Sequence, residues 1–146
     1  MKWNLVCETP ITIDADASKV WKAITTPRLI KKYLFGTNAS SDWKEGSTIT
    51  YEGEYEGNAY KDKGVIKKSE PEKIFQSTYW SSMGSKEDKP ENYNLVTYTL
   101  TSKNSKTTVI LSQDNLQSEK DTEHMLENWK MTLKSLKKVV EVENQK

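Results

Sequence analysis

The sequence predicts an α+β fold in which a curved antiparallel β-sheet surrounds one long C-terminal α-helix, with two short helices after the first strand. Three observations lead there. The middle of the chain is a succession of period-two segments separated by turn residues. From Ser118 onward Gly and Pro are absent, and Met125, Leu126, Trp129, Leu133, Leu136 and Val140 recur at helical spacing. Between the first strand and the meander lie two short stretches whose apolar residues also fall at helical intervals.

The first strand runs from Leu5 to Asp14, with Ile11 and Ile13 on one face and Pro10 marking an edge position. Asp16 is a suitable N-cap for a helix whose stripe is Val20, Trp21 and Ile24. Thr26-Pro27 restarts the chain as cap plus first-turn proline, and Leu29, Ile30 and Tyr33 form the next stripe. From Ser47 the period becomes two: Ile49, Tyr51 and Tyr55 share a face, with Thr48, Thr50, Glu52 and Glu54 opposite. Glu56-Gly57-Asn58 turns the chain into a strand from Ala59 to Ser69, and Glu70-Pro71-Glu72-Lys73 into another from Ile74 to Met83. A polar loop, Gly84 to Asn92, precedes two strands, Tyr93 to Ser102 and Thr107 to Asn115, joined at Lys103-Asn104-Ser105-Lys106. Ser118 with Asp121 three residues on resembles a capping box at the start of the terminal helix. The order is β-α-α-β(5)-α, in one domain covering residues 1–146.

Composition narrows the function. Lys and Arg number 22 against 21 Asp and Glu, so no global field steers nucleic acid or an anionic membrane toward the chain. Aliphatic residues are sparse, but five Trp and seven Tyr supply large buriable rings. Cys7, the single cysteine, reads as a buried inert thiol in a strand, and His124, the single histidine, as a structural or exposed residue on the flank of the terminal helix. Neither belongs to a nucleophile–base–acid set, a zinc site or any other recognisable catalytic group. Glycine spacing fits neither a phosphate loop nor a dinucleotide fingerprint, so no cofactor is expected. The apolar run near Met1 is too short for a signal peptide, and the cytoplasm is the expected compartment. Glu52, Glu54 and Glu56 share the side of a strand that the alternation turns to water.

Several blocks resemble a known family. The segment Ile11-Thr12-Ile13-Asp14-Ala15-Asp16-Ala17-Ser18-Lys19-Val20-Trp21-Lys22-Ala23-Ile24-Thr25-Thr26-Pro27, followed by Lys32-Tyr33-Leu34-Phe35, is similar to the opening of the Hsp90-ATPase-activator-homologue-like proteins of the START-like (Bet v 1-like, SRPBCC) superfamily. Tyr60 to Ile66, Pro71 to Trp80 and Asn128 to Leu136 resemble its later blocks, so the resemblance covers roughly residues 8–142. Asn128 stands where the family has Gly before the helix Trp, and Tyr33 where it has a second-helix Trp. The resemblance implies a helix-grip cavity that binds a lipid or other hydrophobic small molecule.

Trp21 is assigned to the core, and the residues expected around a ligand are Tyr33, Phe35, Tyr51, Tyr55, Trp80, Tyr98, Met125, Trp129 and Leu133. Buried Tyr and Trp need partners for their O–H and N–H groups, so such an interior suits a ligand with a few polar groups, or trapped water. A carrier or sensor of a hydrophobic small molecule is the leading reading, acting as a monomer or weak dimer. The alternatives are a module that contacts a chaperone ATPase, and a cavity enzyme, which would need an acid or base facing inward.

Overall fold

The structure, a computed structural model, describes residues 5–84 and 86–145. Met1 to Asn4, part of the segment considered as a leader, and Ser85 of the polar loop lie outside the described residues. The elements are β1 (Leu5–Ile13), α1 (Ala17–Thr25), α2 (Pro27–Tyr33), β2 (Asn38–Ser41), β3 (Thr48–Tyr55), β4 (Asn58–Glu70), β5 (Ile74–Tyr79), β6 (Asn94–Lys103), β7 (Lys106–Leu116) and α3 (Glu119–Asn144), with a 3-10 turn at Pro90–Asn92. The strands form one antiparallel sheet in the order β1-β7-β6-β5-β4-β3-β2, so the first strand lies at an edge, as Pro10 suggests.

Two features differ from the sequence reading. A sixth meander strand, β2, pairs with β3 from Asn38↔Glu52 to Ser41↔Ile49. Its sequence, Asn-Ala-Ser-Ser, has neither β-branched nor aromatic residues, so the ladder to β3 rather than local preference makes it a strand. The strand predicted to reach Met83 ends at Tyr79, and Trp80 adds only a lone bridge to Lys63. The capping is also simpler than the pattern suggests. Asp16 occupies the N-cap of α1 without a side-chain bond to the helix, whereas Ser118 Oγ accepts from the Asp121 N–H at 3.0 Å.

The sheet curves, helped by register shifts in β1 between Leu5 and Cys7 and in β4 between Ile66 and Lys68. Beside the second shift, Gly64 packs so tightly against β5 that a Cβ there would lie 1.7 Å from the Thr78 carbonyl oxygen. The concave face carries Ile49, Ile66, Phe75, Val96, Leu100, Val109 and Leu111, and the two short helices add Val20, Ile24, Leu29 and Ile30 to the same core. Trp21 packs edge-on against Phe75 with ring centroids 6.0 Å apart.

Helix α3 crosses this face with its burial concentrated at one end. Thr132, Leu133, Leu136 and Val140 are its buried residues, all in the second half. That half is also tied by polar contacts: Lys137 Nζ donates to the Thr12 carbonyl at 2.9 Å, and Glu141 Oε2 accepts from the Asp14 N–H at 2.8 Å. The first half is amphipathic but only partly covered, with Met125, Leu126 and Trp129 half-buried. No helix among the described residues is long and apolar enough to cross a membrane.

Candidate functional site

Where the first half of α3 passes over the sheet, the two do not close completely. A cavity of about 200 Å³ remains, walled on the sheet side by Tyr51, Asp62, Ser77, Tyr79, Val96 and Tyr98. Met125, Asn128, Trp129 and Thr132 cover it from the helix, and Leu34 and Thr37 close the side next to α2. The alternation of strands puts these groups here: Asp62, Gly64 and Ile66 share the inward side of β4, and Phe75, Ser77 and Tyr79 that of β5.

Most polar groups in the wall are partnered by protein. The Trp129 indole Nε1 donates to Gln113 Oε1 at 2.6 Å, and Gln113 is only 3% exposed. The Trp129 ring meets Tyr98 edge-to-face at 6.4 Å. Tyr79 Oη donates to Asp62 Oδ2 at 2.6 Å, while the Ser82 backbone N–H and Oγ donate to Asp62 Oδ1 at 3.0 and 3.4 Å. Burial pushes the phenols of Tyr33, Tyr51, Tyr79 and Tyr98 upward, and the Asp62 carboxylate adds to the effect at Tyr79 and Tyr51. These tyrosines are therefore neutral donors and acceptors at physiological pH.

Of the residues expected around a ligand, Tyr51, Tyr98, Met125 and Trp129 come together at the cavity. Tyr33 and Leu133 are buried in the core beside it, Tyr33 being close enough to Tyr98 and Tyr51 for both to raise its phenol after burial itself. Three others lie elsewhere. Phe35 is 65% exposed because it holds the left-handed position that ends α2: its φ is 53°, and the Gly36 N–H reaches back to the Lys31 carbonyl at 2.8 Å. Tyr55 is 61% exposed at the tip of the β3–β4 hairpin, past the part of β3 that the helices cover. Trp80 sits one residue out of phase with Tyr79, so its ring leaves the concave face. Its Nε1 donates to the carbonyls of Lys86 and Glu87, and Lys63 Nζ lies 5.7 Å from its ring centroid.

Asp62, Tyr79, Gln113 and Thr37 were missed. Parity along β4, counted back from Ile66, marks Asp62 as inward, and parity along β7 from Leu111 does the same for Gln113. His124 is exposed near Asn128, Cys7 is a buried free thiol, and Glu52, Glu54 and Glu56 face water. Among the described residues no three His, Cys, Asp or Glu side chains gather as metal ligands do.

The model of the family described as Activator of Hsp90 ATPase homolog 1-like protein matches residues 14–141. The chain belongs to this family. Among solved structures, the family member is similar to ChR145 from Cytophaga hutchinsonii, at 42% identity over 100% of both chains and a TM-score of 0.85. It also shares its fold with the Aha1 dimer from Colwellia psychrerythraea, at 22% identity over 94% of this chain and 97% of that one, with a TM-score of 0.75. DynU16, from the dynemicin biosynthetic locus, matches at 16% identity and a TM-score of 0.77 over 93% of this chain and 47% of its own. No curated protein matches the chain.

Proposed function

We propose that this protein binds a small hydrophobic or planar aromatic molecule between its sheet and α3, as a carrier or sensor. The observation that carries the reading is the cavity itself, about 200 Å³ with a wall dominated by Tyr51, Tyr79, Val96, Tyr98, Met125 and Trp129. A cavity of roughly 150 Å³ is known to hold benzene, so this volume favours a substituted single ring over a sterol or long-chain lipid. Burying even ~150 Å² of apolar ligand surface supplies roughly 4 kcal/mol before the cost of immobilisation, at about 25 cal/mol per Å².

The test is a panel of single-ring compounds added to the purified protein, followed by tryptophan emission and melting temperature. A binder should perturb Trp129 and raise the melting temperature by mass action. The reading fails if no ring compound does either.

A second reading draws on the family description and on the Colwellia protein: a partner role toward a chaperone ATPase. An ATPase assay with a purified Hsp90-type chaperone tests it, and unchanged hydrolysis at saturating protein would remove it. We further propose a one-domain monomer or weak dimer in the cytoplasm, where the free Cys7 thiol needs no oxidising environment. Sedimentation and cell fractionation address these points.

A further inference from the structure

Asp62 is the acidic side chain in the cavity wall, and it is only 8% exposed. Among the described residues no Lys, Arg or His forms an ion pair with it. Its neighbour Lys63 points to the other face of β4, where it pairs with Asp88. A buried carboxylate without a counter-cation is unfavourable unless something else compensates it.

The protein compensates it in part. Oδ1 accepts two hydrogen bonds from Ser82, and Oδ2 one from Tyr79. A carboxylate has about four acceptor sites, so Oδ2 retains room for one further donor. Tyr79, whose hydroxyl holds that oxygen, and Tyr51 lie side by side next to Asp62, with ring centroids 6.3 Å apart and planes at 57°. Tyr51 is the direct cross-strand partner of Asp62, which fixes the ring and the carboxylate together. A carboxylate beside tyrosine rings in a largely apolar enclosure is complementary to an ammonium group.

From this arrangement we infer that the cavity selects a small aromatic amine, its ring against Val96, Tyr98 and Trp129 and its protonated nitrogen donating to Asp62 Oδ2. The inference rests on the ligand-binding reading above and specifies the ligand's charge. In a site of low dielectric an ammonium–carboxylate pair is far stronger than in water, and a ligand carboxylate meets repulsion from the same group. Neutral ligands of the same shape keep the apolar contacts and lose the ion pair.

The test uses 2-phenylethylamine, 2-phenylethanol and 3-phenylpropionate, titrated calorimetrically into the full-length protein near neutral pH. The amine should bind about tenfold more tightly than the alcohol, and the acid most weakly. In Asp62→Asn the ratio of amine to alcohol affinity should shrink to about twofold or less. Equal or tighter binding of the alcohol or the acid to the wild-type protein overturns the inference and leaves the cavity reading standing. Persistence of the amine preference in Asp62→Asn also overturns it. Binding of none of the three overturns both. Should Asp62→Asn fail to fold, the wild-type comparison decides alone.

Discussion

The indole Nε1 of Trp129 and the Oε1 of Gln113 are joined by a 2.6 Å hydrogen bond that fastens the first half of α3 to β7. Because Gln113 is buried, the bond has no solvent substitute. Gln113→Leu should leave the N–H without a partner and cost about 1–3 kcal/mol. Adding Trp129→Phe removes the stranded donor, so the double variant should be less destabilised than the two single losses summed, by about 1 kcal/mol. Urea unfolding of the four proteins measures the coupling, and strict additivity would show that the bond contributes nothing.

Gly64→Ala should be among the most damaging single-methyl additions to the molecule. The new Cβ would meet the Thr78 carbonyl oxygen, a rigid backbone atom, at 1.7 Å, so β4 and β5 must separate to admit it. The Val65 N–H bond to Thr78 Oγ1, at 2.9 Å, would be strained with them. A loss of about 2 kcal/mol or more is expected in chemical denaturation.

The alkaline limit of stability follows from the phenols. Those of Tyr33, Tyr51, Tyr79 and Tyr98 are raised, first by burial, above their ordinary value of 10. Below that value both folded and unfolded chains keep these phenols protonated, and their contribution is fully present. Above it the unfolded chain releases protons that the native one holds, so stability falls as pH rises. Absorbance titration near 295 nm should show four tyrosines resisting ionisation until the protein unfolds, and replacing Tyr51 by Phe should lessen the alkaline loss.

Filling the cavity should separate binding from folding. Val96→Phe places a ring into space that a ligand would use, and ring compounds should lose about tenfold or more in affinity. Its overpacking cost is expected at about 1–3 kcal/mol, within reach of a protein that still melts cooperatively. Unchanged affinity in the folded variant would move the ligand site elsewhere.

The legible parts of the fold were those where one periodicity dominates. The stripe from Met125 to Val140 repeats at helical spacing over many turns, and α3 follows it. Asn38–Ser41 shows no such pattern, because β2 owes its form to the β3 edge beside it. At the site, Tyr98 and Trp129 were readable as large rings on inward faces. Asp62 was hidden between Lys61 and Lys63, where a solvated charge run is the ordinary expectation. Its place two and four residues before Gly64 and Ile66 on β4, across from Tyr51 on β3, turns it inward. Phe35 misled because its ring looked buriable, while its backbone had to take the left-handed turn that ends α2.

The uneven burial of α3 also makes the helix a lever with a fixed end. Leu133, Leu136 and Val140, with the contacts of Lys137 and Glu141, clamp its C-terminal half, whereas the half above the cavity is tied to the sheet by the Trp129–Gln113 bond. Opening of the first three turns therefore disrupts little of the core, and amide deuterium uptake should begin there while the amides around Leu136 exchange only with global unfolding. Lifting of that end alone would open the cavity while leaving the sheet intact.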